Sequence, residues 1–594
     1  MNPQQEYVSR AERWRTEAQR ASRRAVTIGN CRLALFIGAA LLAWMAFSRD
    51  LLSPWWLFVP LAAFVMLIIY HERLASRDKF ANRAISYYER GLARLDDSWA
   101  GTGNDGKKYL DPDHVYAEDL DLFGKGSLFE LMCTARTAAG EYALASWLLR
   151  PASMEDAVER QQAVRELTTK LDLREYLAML GEDVRSGVHA EVLERWGSAA
   201  AVHFSTTLRV AALCLAVAAV ALFALWMAHV VPLWPFLAIV AINFGLIIAL
   251  RSRVSAVMEA VETPAHDLRI LALVLERLER EAFDAPLLRR LRAELDTEGL
   301  PASKQIARLE RWIDLLDSAD HVAVRVIRPA VLWIEQVVMA IEAWRRRSGP
   351  SVGRWLAAVG QLEALSSMAA FAFEHPSFTF PELLSDSDPS FDAAGLKHPL
   401  MAAARCVPND VAIGGRTRLW IVSGSNMSGK STLLRAIGLK TVLAWAGAPV
   451  AASRVALSRL RTGASLRIVD SLQDGKSRFY AEITRIRSIV DLASSDCQVL
   501  FLLDEILSGT NSHDRRIGAA AIVRGLLDRG AIGLITTHDL ALAGLERDLG
   551  DGAINVHFED HLENGRMEFD YRLHPGVVER SNALELMRAV GLQV

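Results

Sequence analysis

The residues Gly424-Ser425-Asn426-Met427-Ser428-Gly429-Lys430-Ser431-Thr432 carry the spacing G-x-x-x-x-G-K-S, which suits the binding of a phosphate chain. Glycine at each end lets backbone N–H groups close around phosphate oxygens. Lys430 supplies a mobile positive charge for the β- and γ-phosphates, and the Ser431 hydroxyl suits Mg²⁺. The flanks give the pattern its meaning. Leu419-Trp420-Ile421-Val422 has the character of a buried strand, and Leu433, Leu434, Ile437 and Leu439 start a helical period directly after the loop. A strand, loop and helix in that order put the positive end of a helix dipole under the phosphates. The expected ligands are ATP and Mg²⁺, with the whole loop as their cradle.

Two further groups follow in the order that such chemistry requires. The apolar run 499–503 ends in Asp504 and Glu505. Asp504 can hold Mg²⁺, directly or through water, and Glu505 can polarise an attacking water. The apolar run 531–535 ends in Thr536-Thr537-His538-Asp539, which places His538 near the γ-phosphate as a sensor. Lys430, Glu505 and His538 form the expected catalytic set, and Ser431 and Asp504 the expected metal ligands. A carboxylate pair can simply be the wet end of a strand, and a lone histidine is usually surface or core. Here each follows an apolar strand downstream of one loop, which favours the chemical reading.

The chain that must position these groups has 594 residues, enough for several cores. Its formal charge of −3 gives no global basic footprint for nucleic acid. Hydrophobic residues make up 51%, which points to membrane-buried sequence. Cys31, Cys133, Cys214, Cys406 and Cys497 are scattered without a C-x-x-C, against a disulfide framework or a zinc site.

Residues 33–47 and 51–70 form one pair of apolar runs, and 210–228 and 232–250 form another, turning near His229. A bilayer core takes about 20 apolar residues per helix. Trp44, Trp55, Trp56, Tyr70, Trp226 and Trp234 lie near the ends of these runs, where interfacial aromatics are favoured. A cleaved signal peptide fits poorly, because the first run starts deep in the chain and another follows at once. Arg10, Arg13, Arg15, Arg20, Arg23 and Arg24 precede the first pair, and Arg73, Arg77, Lys79 and Arg83 follow it. Arg251 and Arg253 follow the second pair. The positive-inside rule then makes both pairs membrane hairpins that return to the cytoplasm, as in a multi-pass inner-membrane protein.

Apolar residues at helical spacing (Val257, Ala260, Ile270, Leu273, Leu275, Leu278) predict amphipathic helices over 253–300. Arg289-Arg290-Leu291-Arg292 and Arg345-Arg346-Arg347 are expected as solvated helix surface or as contacts to anionic lipid, with a DNA-binding face as the sharper alternative. Serine, proline, glycine and aspartate concentrate at 349–353 and 385–390, which read as breaks. The second break marks the expected entry into the nucleotide domain.

Asn426-Met427 within the loop resembles the MutS family, whereas ABC-transporter ATPases usually carry glycine where Met427 stands. The resemblance extends through Asp504-Glu505-Ile506-Leu507-Ser508-Gly509-Thr510-Asn511, Thr537-His538, and the lead-in His398-Pro399 and Val407-Pro408-Asn409-Asp410. Residues 470–479 are similar to the MutS loop that reaches across a dimer, which implies Ser477 as a residue acting in trans on the partner's nucleotide. Residues 122–167 and 355–383 resemble the first and last parts of the MutS lever. Ser425 and Ser428 replace the proline and glycine usual in that loop, and Arg515 stands where glycine is typical. The mismatch-reading, connector and clamp regions have no counterpart. Phe380-Pro381-Glu382 spells the mismatch wedge only by coincidence.

The expected architecture is multidomain. It has an Arg-rich helix and membrane hairpin over 1–85, helical core over 86–206, a second hairpin over 207–253 and helical lever over 254–385. An α/β ATPase domain of the ABC-type P-loop class fills 386–594. The resemblance implies a homodimer joined through these domains, with membrane lipid as a partner and DNA as an open one. The alternative is an ABC-type transporter ATPase with fused spans, against which stand Met427 and the absence of an L-S-G-G-Q signature.

Overall fold

The computed structural model describes residues 2–48, 53–187, 190–297, 299–320, 322–385, 388–425, 427–467, 478–494, 497–538, 540–563 and 566–578. It is largely helical, with its main sheets in the C-terminal region. Principal helices along the chain are α1 (Pro3–Ser48), α2 (Phe58–Leu95), α3 (Met154–Thr169), α4 (Thr206–Met227), α5 (Trp234–Glu279), α6 (Ala302–Asp317), α7 (Trp333–Glu374), α8 (Lys430–Ala446), α9 (Arg478–Ala493) and α10 (Ser512–Asp528). Several starts are set by side-chain caps that satisfy orphan N–H groups. Ser153 accepts from Asp156 N at α3, Ser205 from Leu208 N at α4, and Asn511 from Asp514 N at α10.

Two compact units divide the chain, one of 1–133, 145–179 and 367–594, the other of 134–144 and 180–366. In the first, α1 and α2 pack as an antiparallel pair around Tyr7, Ala11, Tyr87 and Tyr88. Glu374, at the end of α7, sits under them. Arg94 grips its carboxylate with Nε at 2.7 Å and Nη2 at 2.6 Å, and Tyr7 donates to it at 3.1 Å. The forked geometry lets a fully buried charge pair satisfy its hydrogen bonds.

The same unit holds a six-stranded sheet made from β4 (Leu419–Ser423), β6 (Leu460–Ser465), β7 (Gln498–Leu503), β8 (Ile532–Thr537), β9 (Ala553–Glu563) and β10 (Arg566–Pro575). The spatial order is β10-β9-β4-β8-β7-β6, parallel except for the β9–β10 hairpin. All five residues of β4 are buried, as expected of a parallel strand covered on both faces. A smaller sheet joins β1 (Glu382–Leu383), β2 (Ser390–Leu396), β3 (Asn409–Gly414) and β5 (Arg454–Leu457) in the order β1-β5-β2-β3.

The second unit carries α4, α5, α6 and most of α7. The predicted break at 349–353 is not there, because α7 runs unbroken through Gly349, Pro350 and Gly353. Packing overrides the local breakers. A Cβ on Gly349 would meet the Gly197 carbonyl at 2.6 Å, so glycine here permits close approach of the helix Ala190–Ser198. Nor is 345–347 a uniform basic surface. Arg345 is buried, paired with Glu342 at 2.8 Å and donating to the carbonyls of Ala199 and Ala200. Arg289, Arg290 and Arg292 are exposed on the outer face of a short amphipathic helix.

Among the described residues five helices are long and apolar enough to cross a membrane. In α1, α2, α4 and α5 only 6%, 11%, 17% and 11% of the most apolar window is buried, against 78% in α7. By that contrast α7 is a core helix, and the other four match the predicted runs.

Helix α8 is buried along nearly its whole length, which leaves Lys440 fully enclosed with its Nζ donating to the Lys397 carbonyl. Burial pushes the Lys440 ammonium down to about 7 from its ordinary 10.5. Between those values the unfolded chain holds a proton that the folded chain has released, so stability rises with pH across the window. The penalty is full below the folded value and relaxes above it. Denaturant unfolding of the full chain should show this slope, and Lys440→Met should remove it while stabilising the protein at neutral pH by about 1–3 kcal/mol. Identical slopes in the two proteins would refute the assignment.

Candidate active site

The parallel strands deliver their chemical groups to one edge of the sheet. Ser423 pairs with Thr537 and Leu503 with Ile535, so the residues that follow β4 and β7 emerge beside the end of β8. Crevices at the C-terminal ends of parallel strands are the usual binding place in open α/β sheets. From β4 the chain enters the glycine-rich loop. Gly424 has φ 148° and Gly429 φ 106°, values that an L side chain rarely adopts. A Cβ on Gly424 would also stand 2.9 Å from Ser428 Oγ and 3.2 Å from the Phe558 carbonyl.

Asp504 is the meeting point. Ser431 Oγ at the start of α8 donates to one carboxylate oxygen, and Thr536 Oγ1 near the end of β8 donates to the other. Thr536 Oγ1 also accepts from Glu505 N at 3.0 Å. Lys430 folds back over the loop, with Nζ 2.8 Å from the carbonyls of both Gly424 and Ser425. Burial lowers the pKa of this lysine, opposed by the negative charges of Glu505, Asp504 and Asp560. His538 Nδ1 lies 3.5 Å from Glu505 Oε1, and both side chains keep access to water.

Four of the described non-glycine residues here have positive φ: Met427 at 70°, Glu505 at 48°, Leu507 at 56° and Tyr571 at 54°. Such conformations cost energy and persist where surrounding contacts enforce them. Leu507 N donates to the buried Glu482 carboxylate, and Arg515 donates to the carbonyls of Leu507 at 3.2 Å and Ser508 at 3.1 Å. The arginine thus clasps the turn after Glu505 from the first turns of α10.

A cleft of about 560 Å³ opens over the loop. That volume suits a small-molecule ligand. Lys430, Ser431 and Glu505 line it on the polar side, and Met401, Phe558 and Tyr571 supply apolar and aromatic surface. Ser425 Oγ and Ser428 Oγ are buried without a hydrogen-bond partner. Two unsatisfied hydroxyls beside the loop amides are what an anion with several acceptor oxygens would satisfy.

Residues 420–593 match MutS domain V. The DNA mismatch repair protein MutS of Lactobacillus helveticus is 33% identical over 244 residues, covering 39% of this chain and 28% of that protein. Endonuclease MutS2 of Thermomicrobium roseum is 33% identical over 230 residues, 36% of this chain and 28% of its own length. A protein of Halobacterium salinarum named DNA mismatch repair protein MutS 2 is 33% identical over 250 residues, 41% and 27% of the two chains. This chain therefore spans less than a third of each MutS relative's length.

In the segment similar to MutS domain V the structure brings together Gly424, Ser425, Met427, Ser428, Gly429, Lys430, Ser431, Thr432, Asp504, Glu505 and His538. Met427 is 85% exposed at the lining of the cleft. Asn426 and Ser477 lie outside the described residues. Sequence reasoning gave no site role to Thr536, Glu482 or Tyr571. Thr536 had a usable signal, since a hydroxyl near the end of an apolar strand needs a partner. Glu482 and Tyr571 had none, because their placement depends on tertiary packing.

Arg515→Gly should release the turn at 507–511. Losing hydrogen bonds from a charged donor should speed amide exchange there by roughly tenfold or more. Hydrogen–deuterium exchange on the full chain would measure it, with unchanged protection counting against the clasp.

Proposed function

We propose that the chain hydrolyses ATP at this site and couples the cycle to a conformational switch while held in a membrane by its two apolar hairpins. The observation that carries the reading is Asp504, held between Ser431 and Thr536 at the mouth of the glycine-rich loop. Ser431 Oγ and Asp504 are adjacent oxygens of the type that Mg²⁺ prefers, and they would hold it. Mg²⁺, when bound, supplies charge neutralisation on the substrate's β- and γ-phosphates. Lys430 exchanges its two carbonyl contacts for phosphate oxygens when ATP enters. Glu505 takes up the proton of the attacking water at its carboxylate, and His538 beside it reports on the terminal phosphate.

The exposed apolar windows of α1, α2, α4 and α5 support membrane anchoring, and the flanking arginines support a cytoplasmic face for the ATPase. Similarity to MutS and MutS2 supports a homodimer working through paired ATPase domains, with DNA as a candidate target. In this reading mismatch recognition does not carry over, and the apolar hairpin at 207–253 stands in the helical core where a DNA-clamp insertion would be. The match to MutS domain V does not favour a transporter.

Detergent-purified full chain, assayed for ATP turnover against homoduplex, mismatched and branched DNA, tests this directly. Lys430→Ala and Glu505→Gln should each lower turnover by about a hundredfold or more. Undiminished turnover in either variant would overturn the site. Mismatched DNA should stimulate no more than homoduplex does, and indifference to every DNA would end the DNA reading while leaving the ATPase intact.

A further inference from the structure

The α1–α2 pair holds a second cavity, about 560 Å³ in volume, far along the chain from the glycine-rich loop. Arg20 and Arg24 approach it from one face of α1 and Arg77 from α2, between the aromatic walls of Trp14 and Phe80. Neighbouring arginines are already paired. Arg10 meets Glu6 and Asp172, Arg13 meets Glu175, and Arg15 meets Glu89. Among the described residues no carboxylate pairs with Arg20, Arg24 or Arg77, and the one acidic residue lining the groove is Glu17.

The helix register gives the groove a level. Trp14 packs on Phe80 with ring centroids 6.1 Å apart, and Arg32 Cζ lies 5.3 Å from the Phe64 ring. Antiparallel helices pinned at those points bring Tyr70, the last residue of the second apolar run, beside the Arg24 turn of α1. Arg20 stands one turn, roughly 6 Å, further out. A bilayer's headgroup layer is about 5–8 Å thick on each side of the hydrocarbon core. Deeper still, Arg32 has a buried Nε with no acceptor, which adds positive charge on the membrane side.

We propose that this groove binds the phosphate headgroup of an anionic phospholipid. The assignment rests on the membrane reading above. Topology signalling alone requires positive charge near a span, and it does not require arginines from both helices to converge between two aromatic rings. A phosphodiester would receive guanidinium donors from α1 and α2 at once, while its acyl chains follow the exposed apolar faces of the hairpin.

The test uses the full chain in nanodiscs of phosphatidylcholine, alone or mixed equally with phosphatidylglycerol, with retained lipid read by native mass spectrometry. Arg20→Gln, Arg24→Gln and Arg77→Gln should each lower phosphatidylglycerol retention about fivefold, and Arg23→Gln, outside the groove, should not. Membrane insertion is scored separately by carbonate resistance of the wild-type chain. If it is extracted, the membrane reading falls and the proposal with it. If it is inserted and the groove variants retain phosphatidylglycerol like wild type, the proposal alone is overturned. Competition by soluble glycerol phosphate equal to that by lipid would make the ligand a free phosphate and also overturn it.

Discussion

The candidate site depends on how the two oxygens of Asp504 are used. One accepts from Ser431 at the start of α8, and the other accepts from Thr536 near the end of β8. A single carboxylate therefore ties a helix start to the ends of two strands, at the edge where parallel β4, β7 and β8 finish. Were the β7–β8 register to slip by one residue, Asp504 would face the wrong side of the sheet and lose both partners. The buried apolar strands enforce that register, so the chemistry at the edge is specified by the core behind it.

The strand, loop and helix around Lys430 were legible because each element is short, apolar and locally coded. The two apolar helix pairs were legible for the same reason. Three features were not. The 349–353 segment has the composition of a loop and yet lies within α7, since the space beside Gly197 rewards glycine in a helix. Arg345 looks like part of a basic surface, but Glu342 and two carbonyls draw it inward. Arg515 reads as a departure from the MutS pattern, and only the folded turn at Leu507 and Ser508 gives it a role. For Gly349 and Arg345 the deciding partners, Gly197, Ala199 and Ala200, lie about 150 residues away along the chain, and for Arg515 they are carbonyls of a turn whose shape only the fold sets.

The other constraint is the grip on Glu374. Its carboxylate is fully buried, held by Arg94 from α2 and by Tyr7 from α1. Removing one partner would leave an uncompensated charge in the interior, which is far costlier than the pair's net contribution. Elsewhere in the same unit, Asp119 receives the amides of Leu466 at 2.6 Å and Arg467 at 2.8 Å, just after β6. The loop that carries Asp119 is therefore joined to the sheet that carries the site by buried polar contacts, whose geometry tolerates less sliding than apolar packing does.

Helix α1 is one uninterrupted rod of 46 residues, with its apolar end exposed and its other end seated against Glu374. At 1.5 Å per residue it is roughly 70 Å long. Tilting such a rod by about 10° about one end sweeps the other by roughly 12 Å, more than the spacing between packed helices. A spanning helix accommodates a change in bilayer thickness partly by tilting. On the membrane reading proposed above, the apolar end of this rod lies in lipid and the seat at Glu374 holds its other end, so a change of tilt in the bilayer is carried along one rigid helix to a buried charge pair.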